Sequence, residues 1–566
     1  MTTPPSPPPT PLSSSPSAPL TTTTSTTNIT TTATLLIELT YFQVRLLYPE
    51  MRRSVVQLVA KKWHQTFSTY AQEQCAAVQQ SLNFVNGARV EPKGQDKETL
   101  PLVIPSTGEV LRTFHSSGAK DVDDAVNSAR SAAQHWSQLS GFERGKILRK
   151  AAQLLKERRE EFSQIEVLDS GKPIWEARAD VDGCIDCLEY FGGLAANLAG
   201  EHLILPGGSF NYTRREPLGV VGAIGAWNYP IQMASWKSAP ALACGNAMVF
   251  KPSPLTPISA VMLGEVYAEA GLPAGCYNVV QGAAATGQLL SNHSNIDKMT
   301  FTGSVPTGTK IMEACAKGIK HVTLELGGKS PLIVFANSDL ESAVNGAVLA
   351  NFLNAGQVCS NGTRVFVEKR IAEKFLEELI AKTSKMKAGD PMREDTTIGA
   401  SISKEQAEKT LHFIEIAKKE GATVAYGGGR ITLEDPKFQK GNFIKPCILT
   451  NLRDDMTVVK EEVFGAVLSL LVFDSEEEVV RRANDSCFGL AGGIFTKDLQ
   501  QAHRVAGNLQ TGSIYVNNYN VVTIGIPFGG FKMSGIGHEN AAVTMNYYTH
   551  LKSVYIEMAE QLESPV

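Results

Sequence analysis

Four short apolar segments that alternate with runs of helical spacing limit the folds open to this chain. They read GVVGAIG at 219–225, AMVFK at 247–251, YNVVQG at 277–282 and KMTFTG at 298–303. Apolar strands that alternate with helices are typical of a parallel sheet covered by helices on both faces. A second alternating region runs from Ser330 to about Gln510. We therefore predict an α/β fold in which ligands bind at the carboxyl ends of the strands.

Three helices are predicted ahead of these strands. Apolar residues recur at helical spacing over Asp121–Leu139, Glu143–Leu168 and Trp175–Leu198. Gly171 and Pro173 are typical of a helix end, so we expect the second helix to stop before them.

Length and charge narrow the class of protein. At 566 residues the chain has room for two or three domains. A charged fraction of 19% and a hydrophobic fraction of 43% are those of a soluble globular protein. The formal charge of −4 does not indicate a basic surface that would bind nucleic acid, and we expect a small-molecule partner. Residues 217–236 carry no charge, but glycine, asparagine and proline interrupt them, which predicts a buried strand and its turn rather than a membrane span.

The first 81 residues differ in composition from the rest. Residues 1–33 are almost entirely Thr, Ser and Pro, which predicts disorder. From Met51 a basic amphipathic stretch without an acid until Glu73 resembles a mitochondrial transit peptide; a nonspecific extension is the alternative. The folded part is expected to start near Leu82.

Nine cysteines without framework spacing indicate a reducing compartment. We expect a cytosolic protein, or a mitochondrial one if the segment from Met51 acts as a transit peptide.

Candidate chemistry lies between Val322 and Arg364, where Glu325 stands in a Gly-rich turn and Cys359 in a loop of small residues. A cysteine thiol attacks a carbonyl carbon readily, and a carboxylate can then activate water to hydrolyse the thioester. The alternative is that Cys359 is a buried structural thiol and that Glu325 is a solvated charge. The close pair Cys184 and Cys187 lacks a second CxxC or a histidine pair, so we expect no metal site.

The segment KMTFTGSVPTG favours phosphate binding. It puts Gly303 and Gly308 at a strand-to-helix turn, where the backbone can approach a phosphate closely. The glycine spacing is not GxGxxG, and the glycines alone would be weak evidence for a dinucleotide site. Lys251 ends another strand and can reach ribose or phosphate, although it can equally be an ordinary strand-end lysine. Together these residues make a dinucleotide plausible.

Seven motifs in order resemble those of the aldehyde dehydrogenase superfamily. They are WNYP at 227–230, FKPSP at 250–254, FTGS at 301–304, ELGGKSP at 325–331, GQVC at 356–359, EEVFG at 461–465 and PFGGFKMSG at 527–535. The resemblance runs from about residue 82 to the C-terminus and is greatest to the betaine-aldehyde-like branch. That narrower resemblance rests on LPGGSFNYTRREPLG, ASWKSAPALACGNAMVFKPSP and ANFLNAGQVCSNGTRVFVEK.

The resemblance implies a domain layout. A disordered or targeting extension at 1–81 would precede a dinucleotide-binding domain at 82–324 and a catalytic domain at 325–530. A return segment and oligomerisation strand would occupy 531–566 and combine with a hairpin near 199–217. From the residues alone, the tail from His550 to Met558 reads as an isolated strand that must pair with something, and a second subunit is one option.

The resemblance also implies catalytic roles. Cys359 would attack the aldehyde, and the oxyanion would be held by the Asn228 side-chain amide and the Cys359 N–H. Glu325 would then activate water, which argues against an enzyme that releases its thioester to CoA. Lys237 and Glu539 match positions proposed to relay protons, although a structural ion pair is at least as good an explanation.

The cofactor implied by the resemblance is NAD. Lys251 would contact the adenosine ribose. The pyrophosphate region would be met by Gly303, Ser304, Val305, Pro306 and Thr307, and the nicotinamide ribose and ring by Glu462 and Phe464.

Three positions depart from the family pattern. Many NAD-preferring relatives have a glutamate where this chain has Pro254, so NADP stays open. Ala466 and Ala400 replace usual prolines, which would loosen loops without removing chemistry.

The aromatic side chains of Tyr229, Trp236 and Tyr519 suggest a substrate that carries a trimethylammonium group. A desolvated cation–π contact is worth about 2 kcal/mol, so two or three rings could select such an aldehyde. The alternative is that Tyr229 and Trp236 are core packing.

The resemblance thus implies a homotetramer that oxidises an aldehyde late in carnitine synthesis, without a nucleic-acid or membrane partner. A general or amino-aldehyde dehydrogenase is the nearest alternative. A non-catalytic binding or structural protein on the same fold is an alternative of another class. A cysteine hydrolase lacks a suitable histidine, since none lies between His321 and His412, although a distant one could fold in.

Overall fold

A computed structural model describes residues 82–93, 98–562 and 564–565. The extension at 1–81, with the stretch from Met51, lies outside the described residues, and the expectations for it stay predictions. The strands are numbered in chain order. They are β1 Asn83–Val85, β2 Ala88–Val90, β3 Thr99–Val103, β4 Val110–His115, β5 His202–Ile204, β6 Phe210–Pro217, β7 Val220–Ile224, β8 Ala247–Lys251, β9 Tyr277–Val279, β10 Lys298–Thr302, β11 His321–Glu325, β12 Pro331–Val334, β13 Arg364–Glu368, β14 Thr423–Tyr426, β15 Cys447–Thr450, β16 Val467–Phe473, β17 Phe488–Gly489, β18 Ala491–Phe495, β19 Ser513–Val516, β20 Phe531–Lys532, β21 Gly535–Ile536 and β22 Thr549–Ile556.

The first large sheet contains the four strands predicted from the apolar segments. Its order is β2-β1-β9-β8-β7-β10-β11-β21. The strands from β9 to β11 in this order are parallel, and β1, β2 and β21 pair antiparallel at the two edges. Every residue of β7, β8, β9 and β10 is buried, which explains why they read as continuous apolar runs. The predicted α/β fold is confirmed.

A second, seven-stranded sheet follows the order β14-β15-β16-β13-β12-β18-β19. All of its neighbours are parallel except β14 and β15. Glu325 ends β11 of the first sheet, and Cys359 lies between β12 and β13, which are neighbours in the second sheet. The two candidate residues are therefore held by different sheets.

The α-helices of the described residues include those at the three predicted positions, of which the second holds two helices instead of one. They are α1 Ala119–Trp136, α2 Gly141–Glu157, α3 Arg159–Ser170, α4 Ile174–Leu194, α5 Pro230–Ala243, α6 Ile258–Ala270, α7 Ala284–Asn292, α8 Val305–Ala316, α9 Leu340–Phe352, α10 Ala372–Thr383, α11 Lys404–Lys419, α12 Thr457–Lys460, α13 Glu476–Asn484 and α14 Leu499–Asn508.

The single helix predicted over 143–168 is wrong, because the chain breaks into two helices at Arg158. This residue leaves the helical region (φ −100°, ψ 15°), and its guanidinium pairs with Glu161 at 2.8 Å. The apolar spacing continues across the break, so periodicity gives no sign of it. Gly171 ends the second helix in the left-handed region (φ 78°), as its sequence position predicts.

The tail is not an isolated strand. β22 pairs antiparallel with β6 along its whole length, from Thr549 opposite Pro217 to Ile556 opposite Phe210, and β5 pairs with the other side of β6. The predicted hairpin and tail thus form one three-stranded sheet within the chain. Apolar side chains on it stay exposed, with Ile204 at 82% and Tyr555 at 74%. Such exposure on a sheet is typical of a surface that binds another protein.

Among the described residues, no helix combines the length and apolarity that a bilayer crossing requires. The uncharged segment 217–236 forms β7, a turn and the first part of α5. The strand and turn are as predicted, whereas the helix from Pro230 was missed.

Candidate active site

Cys359 follows an unusually tight loop. Asn354, Ala355 and Gly356 adopt left-handed backbone conformations with φ of 48°, 53° and 78°. Residues other than glycine lose about 1–2 kcal/mol in this region, so tertiary contacts must hold the loop. At Gly356 a side chain would meet the backbone of Gly465 at 2.2 Å, which only glycine avoids. The turn leaves the Cys359 side chain half-buried.

Glu325 ends β11 and is the carboxylate that meets this cysteine. It lies beside Thr302 of β10 in the sheet register and is 4% exposed. Burial raises the pKa of Glu325 to about 7, and a hydrogen bond with the Cys359 thiol acts in the opposite direction. Its Oε1 atom is buried and has no hydrogen-bond partner among the described residues. A carboxylate with a raised pKa and a free acceptor atom suits a general base for water.

The Cys359 thiol is held protonated. Burial raises its pKa well above the usual value, and the neighbouring Glu325 carboxylate raises it further. Attack on a carbonyl requires the thiolate, so a base must take the thiol proton. Glu325 is in position to accept it, which joins the two residues in one chemical unit.

Asn228 lies in the turn between β7 and α5 and is 3% exposed. Its Nδ2 donates to the Gln357 carbonyl oxygen at 2.9 Å, and its Oδ1 has no partner among the described residues. The Asn228 backbone carbonyl accepts from Asn354 Nδ2 at 2.9 Å. The amide is thereby held against the cysteine loop with one N–H still available for an oxyanion.

Lys237 and Glu539 form a buried ion pair with a 2.7 Å separation. Lys237 Nζ also donates to Thr302 Oγ1 at 2.8 Å, and Thr302 hydrogen bonds with Glu325. Thr300 Oγ1 donates to Glu539 at 3.2 Å. A continuous series of polar groups therefore leads from Glu325 into the protein, so the pair is structural and is also connected to the site.

The cofactor candidates at the first sheet lie at the carboxyl ends of β8 and β10, which flank β7. Lys251 closes β8, is 5% exposed, and donates through Nζ to the carbonyl oxygens of Pro252 and Gly282, both at 2.9 Å. Burial lowers its pKa to about 8. Gly303 follows β10, and the Ser304 hydroxyl donates to Thr307 Oγ1 at 3.1 Å instead of capping α8.

The open N-terminus of α8 suits a phosphate. The segment Val305, Pro306 and Thr307 forms its first turn, where backbone N–H groups have no intrahelical acceptor. A helix N-terminus at the carboxyl end of a parallel strand is a common anion site. The donor set therefore fits the pyrophosphate of a dinucleotide.

The remaining cofactor candidates are Glu462 and Phe464, which follow α12 in the chain. Glu462 Oε1 accepts from the Gly328 N–H at 2.9 Å, and a side chain at Gly327 would meet its Oε2 at 2.4 Å. Burial raises the pKa of Glu462. Phe464 holds a left-handed backbone (φ 58°), and its ring stands edge-on to Trp227 at 5.2 Å. Glu462 therefore lies against the Gly-rich turn that follows Glu325, and Phe464 lies against the residue before Asn228.

The three predicted substrate aromatics do not share one environment. Tyr229 precedes α5 and Trp236 lies within it, where the Trp236 ring stands edge-on to Phe528 at 5.8 Å. The Trp236 Nε1 atom is buried without a partner among the described residues. Tyr519 is only 1% exposed and donates through its hydroxyl to the Ser360 carbonyl oxygen at 2.8 Å. Tyr519 therefore supports the residue after Cys359, which is a packing role.

Three residues at the site were missed by sequence reasoning. Tyr515 is half-buried, and burial raises its pKa to about 12, with a smaller contribution from Cys359 that puts the phenol near the cysteine. Phe528 belongs to the PFGGFK motif but was not singled out as a ring against Trp236. Lys172 donates to the Asn228 carbonyl oxygen. The GKP sequence after a predicted helix end was the only available sign of Lys172.

Known proteins match this chain over most of its length. Residues 92–554 match the model of the aldehyde dehydrogenase family. The chain is 58% identical over 483 residues to the human protein named 4-trimethylaminobutyraldehyde dehydrogenase, which covers 85% of this chain and 98% of that protein. The mouse protein of the same name is 57% identical over 486 residues, with the same shares covered.

Solved structures agree in fold. The betaine aldehyde dehydrogenase of Staphylococcus aureus in complex with NAD+ has a TM-score of 0.84 and 37% identity, and the match covers 88% of this chain and 99% of that one. The NAD+ complex of an aldehyde dehydrogenase from Bacillus cereus has a TM-score of 0.82 and 42% identity, covering 85% and 98%.

Proposed function

This chain belongs to the aldehyde dehydrogenase family, and we propose that it oxidises 4-trimethylaminobutyraldehyde to 4-trimethylaminobutyrate with NAD. The proposal is carried by one observation, which is that Cys359, Glu325 and Asn228 meet in one buried site. A non-catalytic protein on this fold would have no need to keep a thiol, a carboxylate with a raised pKa and an amide together. The substrate is supported by the names of the relatives.

The first step is attack by Cys359. Its sulfur bonds to the aldehyde carbon while the thiol proton passes to Glu325, the carboxylate in contact with it. The carbonyl oxygen becomes an oxyanion, which the free N–H of Asn228 and the backbone N–H of Cys359 stabilise. Each donor of this kind is worth about a hundred- to thousandfold in rate.

Bound NAD would accept the hydride from the reacting carbon. Lys251 would hold the adenosine ribose, and the first turn of α8 would hold the pyrophosphate. Glu462 would bind the nicotinamide ribose, and Phe464 would pack against the ring. The open helix N-terminus and the glycines beside Glu462 support this assignment.

Glu325 acts again when the thioester is hydrolysed. The proton that it took from Cys359 would leave through Thr302, Lys237 and Glu539, which are joined by hydrogen bonds. The ionised carboxylate then removes a proton from water, which attacks the thioester carbon and frees Cys359. The unpartnered Oε1 of Glu325 supports this use.

The substrate assignment is tested by the charge preference of the enzyme. NADH formation is measured with 4-trimethylaminobutyraldehyde and with the isosteric aldehyde that carries tert-butyl in place of trimethylammonium. A kcat/KM preference of at least about tenfold for the cation is expected if aromatic rings select it. Equal values would contradict the substrate and leave a general aldehyde dehydrogenase, and no turnover of either would contradict the proposed activity.

Assembly and location form a second part of the proposal. We propose a cytosolic homotetramer that acts late in carnitine synthesis. The exposed apolar face of the β5-β6-β22 sheet supports assembly. Light scattering in solution should give four chains, and a monomer would contradict this. A fusion of residues 1–81 to a fluorescent protein should stay in the cytosol, and import into mitochondria would contradict the location.

A further inference from the structure

We propose that Lys172 is a positioning residue for aldehyde oxidation. It holds the Asn228 amide and the Tyr229 ring in place. Lys172 lies in the short connection between α3 and α4 and is 1% exposed. Its Nζ donates to the Asn228 carbonyl oxygen at 2.9 Å. The inference deepens the proposed function, because it assumes that Asn228 stabilises the oxyanion.

A buried ion pair keeps this ammonium in place. Lys172 Nζ bonds to Asp180 Oδ2 on α4, and the Asp180 side chain is only 10% exposed. Burial alone would lower the pKa of Lys172, but Asp180, Glu166 and Glu176 offset that effect and raise it. The group is therefore a charged donor, and charge-assisted hydrogen bonds are about twice as strong as neutral ones.

The hydrogen bonds around Asn228 join the turn that carries it to the loop that leads to Cys359. The Asn228 carbonyl is shared between Lys172 and Asn354 Nδ2, while the Asn228 side chain donates to the Gln357 carbonyl oxygen. The Asn354 N–H in turn donates to Glu176 Oε2 on α4 at 2.9 Å. The start of α4 thus ties the turn of Asn228 to the left-handed loop that leads to Cys359.

The same ammonium fixes an aromatic ring. Lys172 Nζ lies 4.3 Å from the centroid of Tyr229. Because this cation occupies one face of the ring, only the opposite face is open to a bound ligand. Lys172 therefore orients two neighbouring residues through their backbone and ring, without touching the reacting atoms.

The magnitude follows from the small tolerance of an oxyanion site. A shift of about 1 Å in a catalytic group can reduce the rate roughly hundredfold. Loss of one of two donors to the Asn228 carbonyl should displace the amide by less than that. We therefore expect kcat to fall by about tenfold or more with little change in KM.

The test uses the full-length enzyme with the uncharged aldehyde, so that it does not depend on the cationic substrate. Lys172→Met tests the contact directly. The double variant K172M/D180N avoids an unpaired buried carboxylate and keeps the test valid if Lys172→Met folds poorly. Lys172→Arg keeps the charge and should stay within about threefold of wild-type kcat. Lys320→Met is the matched control, because Lys320 donates to two backbone carbonyls away from the site.

A double-mutant cycle with Asn228→Ala separates positioning from general damage. If Lys172 acts through Asn228, K172M/D180N should lower kcat about tenfold in the wild type but less than about threefold in the Asn228→Ala background. An equal loss in both backgrounds, or a loss no greater than that of Lys320→Met, would overturn the inference. Unchanged kcat in Asn228→Ala alone would contradict the oxyanion role in the proposed function, and the cycle reports that result separately.

Discussion

The Asn228 side chain donates a 2.9 Å hydrogen bond to the carbonyl oxygen of Gln357, two residues before Cys359. The oxyanion donor and the nucleophile are therefore parts of one rigid unit, although 130 positions separate them in the chain. A rigid donor stabilises charge that develops during the reaction without reorganisation of its own. This is the geometry that an oxyanion site needs.

Asn228→Ala should lower kcat about a hundred- to thousandfold while KM changes little, because the lost hydrogen bond is strongest in the transition state. Steady-state NADH formation measures both constants. Asn83→Ala is the control, since Asn83 is an equally buried asparagine that pairs with Ser117 far along the chain. A loss of kcat no larger than in this control would show that Asn228 is only structural.

Glu325 predicts a pH dependence with a definite sign. The general base works when ionised, and burial raises its pKa to about 7. The rate of thioester hydrolysis should therefore fall about tenfold per pH unit below 7 and level off above it. Glu325→Gln should lower the rates of both thioester formation and thioester hydrolysis, because Glu325 takes the proton of Cys359 and later activates water. A variant with wild-type rates of both steps and the wild-type pH profile would contradict the assignment.

Tyr229 and Tyr519 should respond differently to substitution. Tyr519→Phe removes the hydrogen bond to Ser360 and should reduce kcat by a similar factor for the cationic and the uncharged aldehyde. Tyr229→Leu removes an exposed ring face, so the preference for the cation should fall by up to about thirtyfold, equivalent to about 2 kcal/mol. The ratio of kcat/KM for the two aldehydes measures the difference. Equal ratios in both variants would mean that neither ring selects the charge.

How far the sequence predicts this molecule depends on whether a feature is local. The strand at 247–251 was predicted to the residue, because a short apolar run bounded by turn residues is a local signal. Periodicity gives no sign of the break at Arg158, because the apolar spacing continues across it. The pairing of β22 with β6 joins residues that are far apart in the chain, which periodicity does not record. Cys359 and Glu325 were found through motifs that resemble the family. The burial of Tyr519 and the contact of Lys172 with Asn228 could be identified only from the folded structure.

The buried ion pair of Lys237 and Glu539 predicts an asymmetric effect on stability. Lys237→Met leaves the Glu539 carboxylate buried without its counter-ion, and this should cost about 3–5 kcal/mol. The double variant K237M/E539Q removes both charges and should recover much of that loss. Urea unfolding of the wild type, Lys237→Met and K237M/E539Q measures the free energies. Similar stability in the single and double variants would show that the charges do not compensate each other.

Ile319 holds a strained backbone conformation at an exposed position. It is 92% exposed in the turn after α8 and holds a left-handed backbone with φ of 51°. A β-branched residue loses about 1–2 kcal/mol in this conformation, whereas asparagine tolerates it well. Ile319→Asn should therefore raise the free energy of unfolding by about 0.5–1 kcal/mol with no change in kcat, as measured by urea unfolding. Leu499→Asn is the control, because Leu499 is 71% exposed in the first turn of α14 with ordinary helical geometry. An equal gain in that control would assign the effect to lost surface hydrophobicity, and no gain in Ile319→Asn would refute the strain itself.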